Sequence, residues 1–175
     1  MEAPMTVRVG INGFGRIGRS YLRAVLDRAV DPSTAPIDVV AINDVTDTGT
    51  LAHLLKYDST YGPLGWRVDY DDSQIAVDDR IVEVYSYRDP VQLPWEELGV
   101  DVVIESTGRF RAREDAAAHL KAGARKVLIS APGKNIDRTI VMGVNEGEYD
   151  PAADDVISNA SLHDELRRAD GQGAP

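Results

Sequence analysis

Four glycines crowd the stretch Val9 to Ser20, VGINGFGRIGRS, at positions 10, 13, 15 and 18. Glycine has no side chain, so such a run lets a helix, a loop or a ligand come close to the backbone. Gly13-Phe14-Gly15-Arg16-Ile17-Gly18 spells G-x-G-x-x-G between a short apolar run and a helix-like pattern. In a dinucleotide site that spacing has a division of labour. Gly13 takes the tight turn, Gly15 lets a pyrophosphate approach, and Gly18 lets the helix pack closely on the strand. The amides near residues 15–17 then face the phosphates at the positive helix end. A phosphate-loop NTPase needs lysine and then serine or threonine after Gly10-x-x-x-x-Gly15. Arg16 and Ile17 stand there, which excludes it. Taken alone, the glycines also fit an ordinary packed turn.

A second anchor closes the next apolar stretch, IDVVAIND (37–44), at Asp44. A carboxylate there can accept hydrogen bonds from the adenosine ribose hydroxyls. Its charge repels a 2′-phosphate, which favours NAD over NADP. The separation from the glycines exceeds the usual ~20 residues; the loop Asp31–Pro36, with its two prolines, absorbs the difference. The competing reading of Asp44 is a turn residue at a strand end.

These residues need elements to hold them. Thr6–Ile11 reads as a strand and Arg16–Ala29 as a helix, with Ile17, Tyr21, Leu22, Val25 and Leu26 on one face. A buried strand over 37–44 leads to a helix from Thr48 to Tyr57, with Asp47 as its N-cap. Short alternating pieces at 66–70, 74–77 and 80–86, split by acidic turns, form an antiparallel excursion. Residues 101–106 return to buried-strand character, and Arg113–Ala122 is a helix closed by Gly123. Strands follow at 126–130, 139–144 and 155–160. Strands separated by crossover helices imply a mostly parallel sheet. The expected fold class is therefore α/β, a Rossmann-type doubly wound sheet with a short antiparallel excursion.

Composition narrows the partners. A formal net charge of −10 over 175 residues argues against general affinity for nucleic acid or anionic membrane. No cysteine is present, which removes disulfides, thiolate metal sites and a thiol nucleophile. The start, MEAPMTVRV, lacks the pattern of a signal peptide, and no run reaches the length of a membrane span. A cytoplasmic protein is expected. The pairs Asp71-Asp72, Asp78-Asp79 and Asp154-Asp155 read as turns, not as metal ligands.

The segments VGINGFGRIGR, VVAINDVTD, LAHLLKYDSTYG, DVVIESTGRF, KVLISAPGKN, VMGVN and VISNAS, in this order, carry a resemblance. The chain resembles the N-terminal half of phosphorylating glyceraldehyde-3-phosphate dehydrogenase from about Thr6 to Ser161. The resemblance implies NAD as cofactor, with Arg16 and Ile17 at the pyrophosphate and Asp44 at the adenosine ribose. It places Arg88 beside the adenine, with Thr107, Gly108 and Phe110 lining the adenine pocket, and Ser130 near the nicotinamide. It also divides the chain into an NAD-binding domain, 1–161, and a divergent polar tail, 162–175.

The tail is where the chain departs from the family pattern. After SNAS the family has its nucleophilic cysteine; here the residue is Leu162, which cannot become a nucleophile. The expectation is a truncated or split dehydrogenase module, inactive alone, that self-associates or meets a separate catalytic-domain chain through apolar surface near 139–160. A stand-alone nucleotide-binding or regulatory protein and a degenerate fragment are the alternatives. Of the three histidines, His53 is read as structural, His119 as facing solvent or the helix surface, and His163 as exposed tail.

Overall fold

The computed structural model describes residues 6–28 and 36–159. Ala29, most of the Asp31–Pro36 loop, and the tail with Leu162 and His163 lie outside the described residues. Along the chain run β1 (Val7–Asn12), α1 (Arg16–Arg28), β2 (Ile37–Asn43), α2 (Thr48–Lys56) and a short pair, β3 (Tyr57–Asp58) and β4 (Gly62–Pro63). Then come β5 (Val68–Tyr70), β6 (Gln74–Val77), β7 (Arg80–Tyr85), β8 (Val102–Glu105) and α3 (Arg113–Lys121). β9 (Lys126–Ile129), β10 (Arg138–Ile140) and β11 (Val156–Asn159) complete the order. One sheet takes nine strands in the sequence β10-β11-β9-β8-β1-β2-β7-β6-β5. Pairing is parallel from β10 to β7 and antiparallel from β7 through β6 to β5. The Rossmann-type fold with an antiparallel excursion is what the strand and helix patterns led us to expect. The excursion is continuous with the main sheet, because β7 pairs in parallel with β2.

Both sheet faces are covered. Val9 and Ile11 of β1 and Val39 and Ile42 of β2 pack against Leu22 and Leu26 of α1 and Leu51 and Leu55 of α2. The 22, 25, 26 spacing makes this the apolar stripe of α1. Ile17 does not share it and is 52% exposed. It sits in the first helical turn, beside the exposed Gly15 and Arg16, before α1 reaches the sheet. On the opposite face Val40, Ala41 and Val103 meet Leu93, Trp95 and Val100. The β1–β2 register shifts between Val9 and Gly10, opposite Val39 and Ala41, leaving Val40 as an extra residue. This bulge lets Val40 and Ala41 join the same cluster.

Local chemistry sets the element ends. Asp47 caps α2, its side chain accepting from the Thr50 amide at 2.8 Å. Gly123 closes α3 with φ +102°, and a Cβ there would lie 2.7 Å from the Glu96 nitrogen. The strand expected over 139–144 ends early, at Ile140. Asn145 Oδ1 accepts from the Val141 amide (2.7 Å), and its Nδ2 donates to the Thr139 carbonyl (3.0 Å). A side chain thus takes the bonds that a longer strand would need. Among the described residues no helix is long and apolar enough to cross a membrane.

Candidate functional site

β1, β2 and β8 are neighbours, and their last residues are Asn12, Asn43 and Glu105. Asn12 is the register partner of both Asn43 and Glu105, so three polar side chains form a row across the strand ends. In a doubly wound sheet this is where a ligand crevice opens, beyond the carboxyl ends where chain direction diverges. A cleft lies there. Asn12, Gly13 and Gly15 line it from the first turn, and Asn43, Asp44 and Val45 from the second. Tyr87 and Arg88 form one wall; Ser106, Thr107, Arg109 and Phe110 form the other.

The four glycines do different things. At Gly10 a Cβ would lie 2.8 Å from Cζ3 of Trp95, so this residue lets the indole lie against β1. Gly13 has φ +90°, and a Cβ would stand 2.6 Å from the Thr107 nitrogen; the turn needs both its conformation and its close pass beside β8. At Gly18 a Cβ would meet the Gly13 carbonyl oxygen at 2.3 Å, which is the tight seat of α1 on the turn. Gly15 has nothing within 4 Å of where a Cβ would be. It faces open space at the start of α1, whose first amides have no acceptor within the helix. The first turn of α1 carries no acid, and Arg16 stands there instead.

Asp44 is tied to the glycine turn. Its Oδ2 accepts from the Phe14 amide at 2.7 Å and its Oδ1 from the Thr46 amide at 3.0 Å. A carboxylate has about four acceptor sites, so about two are free for other donors. The turn-residue reading and the cleft reading of Asp44 are therefore compatible. Tyr87 is held by Asn43: the Tyr87 amide donates to Asn43 Oδ1 (2.8 Å), and Asn43 Nδ2 donates to the Tyr87 carbonyl (2.9 Å). The cleft carries Arg88 and Arg109 against the single acid Asp44, a local balance opposite to the chain's net charge.

The fold brings Gly13, Gly15, Asp44, Arg88, Thr107 and Phe110 together around one opening. Arg16 and Ile17 stand exposed at the start of α1, and Gly18 is buried behind the turn. Gly108 is exposed between Thr107 and Arg109. Ser130 sits one residue past β9, its amide donating to the Glu105 carbonyl at 3.0 Å, and does not line the cleft. The sequence reading missed Asn12, Asn43, Tyr87 and Arg109. A signal for the asparagines existed, since each is a buried polar residue closing the apolar C-terminal run of its strand, Val9–Ile11 and Val39–Ile42. His119 requires a correction: it is 0% exposed, within hydrogen-bond reach of Glu105 and Trp95. It lies on the face of α3 that also buries Ala116, not on the solvent side. His53 is exposed and sits beside the Tyr57 ring.

Residues 7–113 match the family described as glyceraldehyde 3-phosphate dehydrogenase, NAD binding domain. The chain belongs to that family. Its cofactor is NAD. The chain is 57% identical over 157 residues to a glyceraldehyde-3-phosphate dehydrogenase of Streptomyces coelicolor, covering 90% of this chain and 45% of that protein. It is 58% identical to the one from Geobacillus stearothermophilus and 54% identical to glyceraldehyde-3-phosphate dehydrogenase 1 of Bacillus subtilis, with the same coverage. The chain thus spans about 45% of the length of these curated relatives.

Proposed function

We propose that this chain holds NAD in the cleft at the ends of β1, β2 and β8, as the dinucleotide-binding part of a glyceraldehyde-3-phosphate dehydrogenase-type oxidoreductase. The observation that carries this reading is the pairing of Gly15 with Asp44: open space at a helix start, and a carboxylate bonded to the same turn. In this reading the pyrophosphate takes the space beside Gly15, at the amides of Arg16 and Ile17. Gly13 and Gly18 shape the turn, and Asp44 accepts from the adenosine ribose. Arg88, Thr107, Gly108 and Phe110 surround the adenine, and Ser130 lies towards the nicotinamide. NAD when bound supplies the hydride acceptor for the family reaction, oxidation and phosphorylation of glyceraldehyde 3-phosphate.

The residues of this chain bind and orient, and none of them can be the family's thiol nucleophile, because no cysteine is present. The chain alone is therefore proposed to show no turnover. Met142 and Val144, each 72% exposed, support an interface with a second copy or a catalytic-domain chain. Calorimetric titration with NAD and NADP tests the binding reading. Expected are NAD binding, weaker NADP binding, and loss of NAD affinity in Asp44→Ala. No NAD binding by a demonstrably folded chain refutes it.

A further inference from the structure

The row Glu105, Asn12, Asn43 is buried, with relative exposures of 1%, 1% and 5%. It is also continuous. Asn43 Nδ2 donates to Asn12 Oδ1 (2.7 Å), and Asn12 Nδ2 donates to Glu105 Oε2 (2.6 Å). One end of the row reaches Tyr87 through Asn43; the other reaches Thr107, whose amide and hydroxyl both donate to Glu105 Oε1. Tyr87 and Thr107 line opposite walls of the cleft. The row is therefore a hydrogen-bonded beam under the site.

What orients Glu105 lies deeper. Trp95 Nε1 is 3.0 Å from His119 Nδ1. An indole N–H can only donate, so His119 Nδ1 must accept. The imidazole proton then sits on Nε2, which faces Glu105 Oε2 at 3.1 Å. Glu105 thus receives four donors: Asn12 Nδ2, His119 Nε2, and the amide and hydroxyl of Thr107. Trp95 can reach His119 because Gly10 leaves room for the indole on β1. A buried histidine–carboxylate contact is weak as a source of net stability, since apolar packing of the same volume does as well. Its consequence is geometric: it fixes which way the Glu105 oxygens point.

We infer that His119 is a positioning residue for the cleft: set in its Nε2–H tautomer by Trp95, it orients Glu105 and thereby Thr107 on one wall and, through Asn12 and Asn43, Tyr87 on the other. The ligand side of this inference rests on the NAD-binding reading; the positioning side does not. The test uses the full chain and three variants: His119→Leu, His119→Gln and Trp95→Phe. Nitrogen-15 spectra of the imidazole in the wild type should show the proton on Nε2; a proton on Nδ1 overturns the inference. Without ligand, amide exchange at Thr107 and Tyr87 should quicken about tenfold in His119→Leu, the loss of one hydrogen bond to a charged acceptor. His119→Gln, whose side-chain amide can donate to Glu105, should recover most of that protection. If NAD binds the wild type, its Kd should rise in His119→Leu and return towards the wild-type value in His119→Gln. Should His119→Leu fail to fold, Trp95→Phe carries the test: the Glu105 contact keeps the proton on Nε2, while loss of the indole partner frees the ring and should quicken exchange at Thr107 and Tyr87. Unchanged Thr107 and Tyr87 exchange in a folded His119→Leu, or in Trp95→Phe where His119→Leu does not fold, overturns the inference. A wild type that does not bind NAD removes the function proposed above and leaves the exchange and tautomer readings to decide this one.

Discussion

Gly15→Ala separates binding from folding. The added methyl meets nothing within 4 Å, so no neighbour has to move. Two opposed terms act on the unliganded fold. Gly15 precedes α1 and its carbonyl accepts from the Arg19 amide, the N-cap position, where alanine is worse than glycine by roughly 0.5–1 kcal/mol. The stiffer unfolded chain returns about 0.4–1 kcal/mol. These nearly cancel, so the melting temperature should move by no more than about 2 °C for a chain of this size. With NAD the balance differs, because the methyl fills the space proposed for the pyrophosphate. Loss of one charge-assisted hydrogen bond costs about 2 kcal/mol, or roughly 30-fold in Kd. At about 100 times the wild-type Kd, NAD stabilises the wild type by about 2.7 kcal/mol, whereas a 30-fold weaker binder gains only about 0.9. The gap of about 1.8 kcal/mol corresponds to roughly 4–7 °C. The assay is thermal unfolding with and without NAD, checked by calorimetric titration. Equal NAD-induced shifts in wild type and variant would refute the assignment of Gly15 to phosphate approach. A large fall in melting temperature without NAD would refute the claim that the position is open.

Other perturbations read other parts of the molecule. Gly10→Ala should lower stability by about 1–3 kcal/mol in denaturant unfolding, because the new methyl would lie 2.8 Å from a ring that cannot flex away. Burial would raise the Asp137 carboxyl, but Arg113 and the amides of Val156 and Asp155 outweigh it and hold the group below the usual carboxylate range. Its contribution to stability is therefore complete above the unfolded value of about 3.9 and is lost as pH falls through the lower folded one. Asp137→Asn should cost about 1–3 kcal/mol at neutral pH, with the difference from wild type closing in acid in pH-dependent denaturation curves. Burial, together with the hydroxyl's bond to Glu83, pushes Tyr85 up to about 12. In an ultraviolet titration Glu83→Gln should bring that group back towards its ordinary value. Glyceraldehyde 3-phosphate, NAD and arsenate should yield no steady NADH with this chain alone; clear turnover counts against the proposed division of labour.

Local pattern carried a good deal of this molecule. The glycine spacing, the Asp47 cap, the Gly123 stop and the alternation of apolar strands with amphipathic helices are short-range signals. Each acts within a few residues, so the sequence alone determined most element types, the mostly parallel sheet and the glycine turn at the cleft. Where the sequence reading failed, the deciding contact was in most cases distant in the chain; the early end of β10, set by Asn145 four residues from Val141, is the local exception. Ile17 fits the helical stripe by spacing, but its burial depends on where α1 meets the sheet. The strand at 139–144 was cut short by Asn145, whose side chain competes with a ladder whose partner strand lies elsewhere. The sequence reading puts His119 at solvent or the helix surface; only the packed sheet brings Trp95, 24 residues away, and Glu105, 14 residues away, to its two nitrogens. Asn12 and Asn43 are separated by 31 residues and become bonded neighbours only when β1 and β2 pair in register. Periodicity specifies which side of an element is apolar. It contains no record of which polar groups will face one another once the strands align, and that pairing builds the floor of the cleft.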